Sequence, residues 1–227
     1  GLKVLKKIKD YLNKFFPSLF IFLRKWYYKN KILPKEFIDH VNKLNKNDVV
    51  IDLGANVGAI TEILAKTKSK VYAFEPNTKA FYILKKNMSK YDNVTLYNSA
   101  AGVKNSNIKL YLHKDYNNSE DDLTQASSLN LNKENISQYN YEIVKEINFS
   151  KFLSLINSKI EIIKIDIEGY EIKLINHLLD NDILKNVSKI YLETHENKNH
   201  LLKDETLKLK DRIKKEGFEK KFFFGWH

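Results

Sequence analysis

Cysteine, internal repeats and long apolar runs are all missing from this sequence. The 227 residues include no cysteine, which excludes disulfides and thiolate metal sites but fits either a cytosolic or a secreted protein. The apolar residues 18–23 form a run far shorter than the roughly 20 residues that a bilayer-spanning helix needs. We expect no signal peptide, because the N-terminus lacks a compact apolar core followed by a small-residue cleavage site. The prediction is therefore a cytoplasmic protein.

Positive charge is concentrated at the N-terminus. The formal net charge is +11, and residues 1–31 hold nine basic residues against Asp10, a balance of +8 that leaves +3 for the remaining chain. A nucleic-acid enzyme more often carries its basic surface around its site. Nucleic acid is therefore not the expected partner.

Residues 1–34 are predicted to form a basic, amphipathic helical segment in front of one α/β domain over residues 35–227. Leu5, Ile8, Leu12 and Phe15 recur at three- and four-residue steps with lysines between them. Two interpretations stay open. The segment lies on an anionic membrane face, which would place the protein peripherally at the inner membrane face, or it packs on its own domain or on a partner.

The stretch 49–58 organises the domain. An apolar run ends in Asp52, and Gly54 and Gly58 follow before a helical pattern begins. This order predicts a buried strand, a tight turn and a helix, as at the nucleotide-binding turn of an open α/β sheet. The glycines would allow a ligand to approach the backbone closely.

Carboxylates and other polar residues end the next strands as well. Glu75 follows a strand over residues 70–74, at the distance from the glycines where such folds place an acid against ribose hydroxyls. A third strand is predicted over residues 94–102, and residues 108–113 should form a hairpin with it. The polar stretch 115–141 is interpreted as a disordered insertion or, preferably, a substrate-facing lid.

Charged residues also lie at the ends of two later strands. Lys164, Asp166 and Glu168 share one side of a strand near residues 160–168, and such charges are costly to bury unless they have a role. Glu193 and His195 end the strand that follows.

Taken together, these motifs resemble the FkbM-type class I S-adenosylmethionine-dependent methyltransferases. The matching motifs are residues 52–58 (DLGANVG), 74–77 (FEPN), 164–171 (KIDIEGYE) and 193–195 (ETH). The resemblance implies a Rossmann-like, mostly parallel seven-stranded sheet with flanking helices and S-adenosylmethionine over the strand ends. It also implies O-methylation of sugars in glycans, lipopolysaccharides or natural products. Such folds usually end in an antiparallel strand pair, of which only residues 218–224 are evident.

The resemblance and the strand-end chemistry together assign the site. The candidate general bases are Asp166, Glu168, Glu193 and His195. His195 is the predicted one, because its ordinary pKa lies near working pH. Asp166 would orient the acceptor or the cofactor's amino group, with Glu168 and Glu193 beside it. Cofactor contacts are assigned to Asp52, Gly54, Asn56, Gly58, Glu75, Pro76, Asn98, Ser99 and Ala100.

Alternatives to this assignment stay open. Asp166, Glu168, Glu193 and His195 would also suit Mg²⁺ or Mn²⁺, and His195 alone would suit a structural hydrogen bond. A nicotinamide oxidoreductase is disfavoured, because Asn56 replaces the second glycine of the dinucleotide fingerprint. A nucleic-acid methyltransferase and a non-catalytic scaffold that docks a membrane or a glycan-assembly complex are the other functions considered.

Overall fold

The computed structural model describes residues 33–113, 136–167, 169–193 and 200–226. The chain divides into two units, residues 1–39 and residues 40–227. The predicted N-terminal helix and most of the predicted lid lie outside the described residues, so both stay predictions. Among the helices that are described, none is long and apolar enough to cross a membrane.

Helices and parallel strands alternate through the domain. The helices are α1 (Lys35–Val41), α2 (Ala59–Ala65), α3 (Thr78–Met88), α4 (Phe149–Ser154), α5 (Glu171–Asp180) and α6 (His200–Lys215). The strands of the main sheet are β1 (Val49–Leu53), β2 (Lys70–Phe74), β3 (Val94–Tyr97), β7 (Ile160–Ile165), β8 (Val187–Glu193) and β9 (Phe222–Trp226). Short 3₁₀ helices, Ile183–Asn186 and Glu219–Lys221, precede β8 and β9.

The main sheet has the order β3-β2-β1-β7-β8-β9, and every neighbouring pair is parallel. All five residues of the central strand β1 are buried. Five of the six residues of its neighbour β7 are also buried. Long apolar runs of this kind are typical of parallel strands covered on both faces. The Rossmann-like α/β fold predicted from the sequence is confirmed.

The far edge of the sheet differs from the expected seven-stranded pattern. The main sheet has six strands within the described ranges, and β9 joins β8 in parallel. Helix α6 connects these two strands, and a helical crossover is the usual link between parallel neighbours. The final antiparallel pair is therefore replaced, in the described part of the chain, by one parallel edge strand.

The single strand predicted over residues 94–102 is wrong. It divides into β3 and a separate strand β4 (Ala100–Gly102), which belongs to a second, three-stranded sheet. Strand β5 (Ser106–His113) pairs antiparallel with β6 (Ile136–Asn148), not with β3. The chain leaves the first sheet at Asn98 and Ser99, and β4 then lies parallel to β6.

Candidate active site

The turn after β1 is built from left-handed backbone conformations. Gly54, Asn56 and Gly58 have φ angles of 76°, 50° and 94°. The amides of Gly54 and Ala55 both donate to the carbonyl of Phe74, at 3.1 and 3.0 Å, so the turn is tied to the end of β2. Asparagine tolerates this backbone region better than most other residues with a side chain.

The space beside the two glycines is filled by the protein itself. A Cβ atom on Gly54 would lie 1.7 Å from the backbone oxygen of Asp166, and one on Gly58 would lie 2.8 Å from Leu84 Cδ1. The sequence alone predicts that both glycines make room for a ligand. In the structure, the Asp166 backbone already requires glycine at position 54, whereas at position 58 the left-handed φ of 94° is the stronger reason for glycine.

Three amides of the turn donate to groups of the protein itself. Besides the Gly54 contact to Phe74, the Asn56 amide donates to Glu75 Oε2 at 2.8 Å and the Gly58 amide donates to the Ala55 carbonyl at 2.9 Å. All three N–H groups therefore have partners inside the protein. The predicted backbone contacts of this turn to the methionine part of the cofactor stay a prediction, and hydrogen bonds from these three amides to a ligand would require the turn to change.

Glu75 is held through both of its carboxylate oxygens. Its side chain is buried, with Oε2 accepting from the Asn56 amide and Oε1 from the Asn77 amide, each at 2.8 Å. Burial raises the pKa of Glu75 to about 7, although the two backbone hydrogen bonds and Lys164 act in the opposite direction. Asn77 also caps helix α3 through its side chain, which accepts from the Ala80 amide. The carboxylate is thus fixed at the end of β2.

The residues predicted to edge the adenine lie next to this acid. Asn98 donates from Nδ2 to the carbonyls of Glu75 and Pro76, at 2.9 and 3.1 Å. Ser99 and Ala100 are both buried where the chain passes from β3 to β4. The ends of β2 and β3 are therefore joined by a side chain as well as by strand pairing.

Lys164 connects the ends of β1 and β7 from the interior. Its Nζ lies 3.2 Å from Asp52 Oδ1 and 3.0 Å from the carbonyl of Gly54, while its side chain is 4% exposed. Burial lowers its pKa, but Asp52, Asp166 and Glu193 outweigh this and raise the pKa overall. The other Asp52 oxygen accepts from the Thr61 hydroxyl at 2.7 Å, which links the strand to helix α2.

Asp166 directly follows the last residue of β7 and contacts the end of β1 and the turn after it. Its amide donates to the Leu53 carbonyl at 3.1 Å, its Oδ2 is 3.9 Å from Lys164 Nζ, and its side chain is 29% exposed. The following loop is held by the buried Glu171, whose two oxygens accept from the amides of Ile167 and Gly169 at 3.0 and 2.8 Å. Asp166 thus combines a fixed backbone with a partly accessible carboxylate.

Glu193 ends β8 next to this group, and its charge acts on Lys164. Glu168 and His195 lie outside the described residues, so the predicted base and the predicted metal ligands stay predictions. Among the residues that the structure describes, no group of three His, Asp or Glu side chains is placed to hold a metal ion.

Sequence reasoning assigned no role to two residues that organise this site. Lys164 was noted for its charge, but its interaction with Asp52 joins residues far apart in the chain. Glu171 belongs to the 164–171 motif. The available signal was an acidic residue in the first turn of α5, directly after the break at Gly169.

The structure is a Rossmann-like α/β fold with polar side chains gathered at the ends of neighbouring parallel strands. The family model for the methyltransferase FkbM domain matches residues 52–220. The chain therefore belongs to the FkbM methyltransferase family.

Other proteins are similar over smaller parts or at lower identity. Ribosomal RNA small subunit methyltransferase A of Thermotoga petrophila is 36% identical over 90 residues, which is 40% of this chain and 34% of that protein. The chain spans about a third of the length of the first curated relatives it matches.

Similar solved structures include methyltransferase FkbM from Methylobacillus flagellatus KT, with 14% identity and a TM-score of 0.48 over 86% of this chain and 47% of that one. M. jannaschii TYW2 in complex with AdoMet is 37% identical over 28% of this chain and 31% of that chain, with a TM-score of 0.25.

Proposed function

We propose that this enzyme transfers the methyl group of S-adenosylmethionine to a hydroxyl of a sugar or glycan-type acceptor. The observation that carries the proposal is the meeting of three acids at neighbouring strand ends. Glu75 and Asp52 are buried and fixed, whereas Asp166 is partly exposed beside them. Glu75 suits contact with a cofactor, Asp52 anchors the cofactor-binding turn through Lys164 and Thr61, and Asp166 suits contact with an acceptor.

The cofactor, when bound, supplies a methyl group on a cationic sulfur. Glu75 can accept from ribose hydroxyls while it keeps its two backbone donors, because an ionised carboxylate has about four acceptor positions. Four of the five amides of the 54–58 turn are already bonded, whereas a carbonyl oxygen keeps a second acceptor position. The turn is therefore better suited to accept from the methionine ammonium through carbonyl oxygens than to donate to its carboxylate. Asn98, Pro76, Ser99 and Ala100 would border the adenine.

Asp166 is proposed to orient the acceptor hydroxyl. Its backbone is held by the Leu53 carbonyl and by contact with Gly54, so the position from which its side chain extends is fixed. Alignment of a hydroxyl with a methyl group can supply much of the rate, since it replaces a two-body encounter by a unimolecular step. His195 stays the proposed base, with Glu168 and Glu193 as neighbours, and a role for Mg²⁺ or Mn²⁺ at these residues stays an alternative.

The acceptor class can be tested in the source organism. Mass spectrometry of its surface glycans, with and without this gene, should show the loss of one methyl group when the gene is deleted. Restoring the wild-type gene should restore the methyl group, whereas a copy carrying Asp166→Asn should not. Unchanged glycans after deletion would contradict a glycan acceptor.

A nucleic-acid acceptor is the second candidate, and the similarity to ribosomal RNA methyltransferases favours it. The weak net charge outside residues 1–31 argues against it. Purified protein should be given radiolabelled S-adenosylmethionine with either the envelope glycan fraction or ribosomal RNA from a deletion strain. Label in the RNA alone would establish the second candidate and exclude the first.

A further inference from the structure

We infer that Glu146 is a positioning residue for methyl transfer, acting through the hydroxyl of Tyr170 on the loop of residues 166–170. The inference rests on the proposed function in one respect, namely that Asp166 on this loop faces the acceptor. Glu146 itself lies on β6 in the second sheet, outside the strand-end site described above.

The carboxylate of Glu146 is buried and has three donors. Oε1 accepts from the Tyr170 hydroxyl at 2.8 Å and from the Val103 amide at 3.0 Å, and Oε2 accepts from the Ser106 hydroxyl at 2.6 Å. Gly102 leaves room for it, since a Cβ atom there would lie 2.1 Å from Oε1. A buried acid with this many directed partners has one well-defined position.

Charge also favours the hydrogen bond between the Tyr170 hydroxyl and the Glu146 carboxylate. Burial raises the pKa of Glu146, but the hydrogen bonds from Ser106, Tyr170 and Val103 outweigh it and lower the pKa overall. Burial and the contact with Glu146 raise the pKa of the Tyr170 hydroxyl above its ordinary range. At neutral pH an ionised acceptor therefore faces a neutral donor, which gives a strong charge-assisted hydrogen bond.

This contact joins two parts of the proposed site. Glu146 is the register partner of Ala100, which is one of the residues proposed to edge the adenine. Tyr170 closes the loop that begins at Asp166 and directly precedes α5. Glu171 holds the same loop through the amides of Ile167 and Gly169. Glu146 therefore fixes the acceptor loop relative to the second sheet, while Glu171 fixes its internal shape.

The first test needs no acceptor. Tyr170→Phe removes only the hydroxyl, and Tyr91→Phe is a matched control, because the Tyr91 hydroxyl donates to the buried Glu62 at 3.1 Å on another part of the domain. Amide hydrogen exchange at Ile167 and Gly169, followed by NMR, should be about tenfold faster in Tyr170→Phe. In Tyr91→Phe it should stay within about twofold of wild type.

The second test measures transfer to the envelope glycan fraction of a deletion strain at saturating S-adenosylmethionine. Tyr170→Phe should lower the maximal rate about tenfold and leave KM for S-adenosylmethionine within about twofold. Glu146→Gln should retain most of the rate. Its Oε1 still accepts from Tyr170 and Val103, and its amide nitrogen can donate to the Ser106 oxygen.

Equal exchange at Ile167 and Gly169 in the two tyrosine variants would overturn the inference and leave Glu146 as a residue of general stability. A maximal rate in Tyr170→Phe equal to that of wild type would also overturn it. If wild type methylates no glycan but the exchange difference is found, the proposed acceptor is wrong and the positioning of the loop is supported.

Discussion

At the scale of single residues, Gly54 and Gly217 show how one backbone conformation can serve two purposes. Their φ angles are similar, 76° and 79°, but a Cβ atom on Gly54 would collide with the Asp166 carbonyl, whereas one on Gly217 would meet nothing within 4 Å. Gly217 ends a helix, and Gly54 also allows two strand ends to touch. A comparison of the two glycines therefore distinguishes the effect of backbone strain from the effect of close packing.

Replacement of each glycine by alanine should have unequal effects on stability. Gly217→Ala should cost about 1–2 kcal/mol, the usual penalty for a left-handed residue with a side chain. Gly54→Ala should cost more than about 4 kcal/mol, because β1 and β7 must also separate. Urea unfolding of both variants measures the difference. Equal losses would show that Gly54 does not pack against Asp166 as described.

Glu75 should make cofactor affinity depend on pH. Its pKa of about 7 in the unliganded protein means that the carboxylate becomes ionised between pH 6 and 8. If the ionised form binds the ribose, the Kd for S-adenosylhomocysteine should fall about tenfold over that range and level off above it. Calorimetric titration of wild type and Glu75→Gln checks this, since the variant should show no such change. The same pH profile in both proteins would contradict the assignment.

The raised pKa also has a consequence for stability. Between the ordinary value of 4.5 and about 7, the folded protein binds more protons at Glu75 than the unfolded chain does. The contribution of this group to stability is therefore fully present below pH 4.5 and is lost as the pH rises through 7. Cofactor binding offsets the loss if ribose hydroxyls stabilise the ionised form.

At the scale of elements, the ends of β1 and β7 are joined by one buried ion pair and its surrounding carbonyls. Lys164 extends between Asp52 and the turn that begins at Gly54. Removal of one partner from a buried pair leaves the other charge without compensation. The two strand ends therefore depend on this lysine for both charge balance and geometry.

Lys164→Met should destabilise the protein by about 3–5 kcal/mol and weaken S-adenosylhomocysteine binding. Lys185→Met is the matched control, because Lys185 forms an exposed pair with Asp182 at 2.6 Å. That substitution should cost less than about 1 kcal/mol and leave binding unchanged. Thermal unfolding and calorimetry on both variants provide the measurements. A small effect of Lys164→Met would mean that Asp52 is compensated by other groups.

At the scale of the whole molecule, the N-terminal residues 1–31 carry a net charge of +8, and the rest of the chain carries +3. If residues 1–31 attach to an anionic membrane face, the full-length protein should sediment with vesicles that contain anionic lipid and not with neutral ones. Replacement of Lys3, Lys6, Lys7 and Lys9 by glutamine should remove most of this binding. The same change at the exposed Lys203, Lys208, Lys214 and Lys215 of α6 should have little effect. Equal effects would indicate attraction by total charge alone.

Much of this architecture could be predicted from local pattern. Asp52, Glu75 and Asp166 each follow or end an apolar run, and parallel strands bring such ends to one edge of a sheet. The division of residues 94–102 was missed, because the composition does not show that the chain changes sheets at Asn98 and Ser99. Lys164 and Glu146 were missed as organising residues for a related reason. Their partners come from distant segments of the chain, and the periodicity of a sequence does not reveal such pairs.

The central claim is that the ends of β1, β2 and β7 form one binding site for S-adenosylmethionine, with Glu75 as an essential part. Calorimetric titration with S-adenosylhomocysteine tests it most directly. Wild-type protein should bind one equivalent, and Glu75→Ala, checked for folding by circular dichroism, should bind at least about tenfold more weakly. Equal binding by the two proteins, or no binding by folded wild type, would contradict the account.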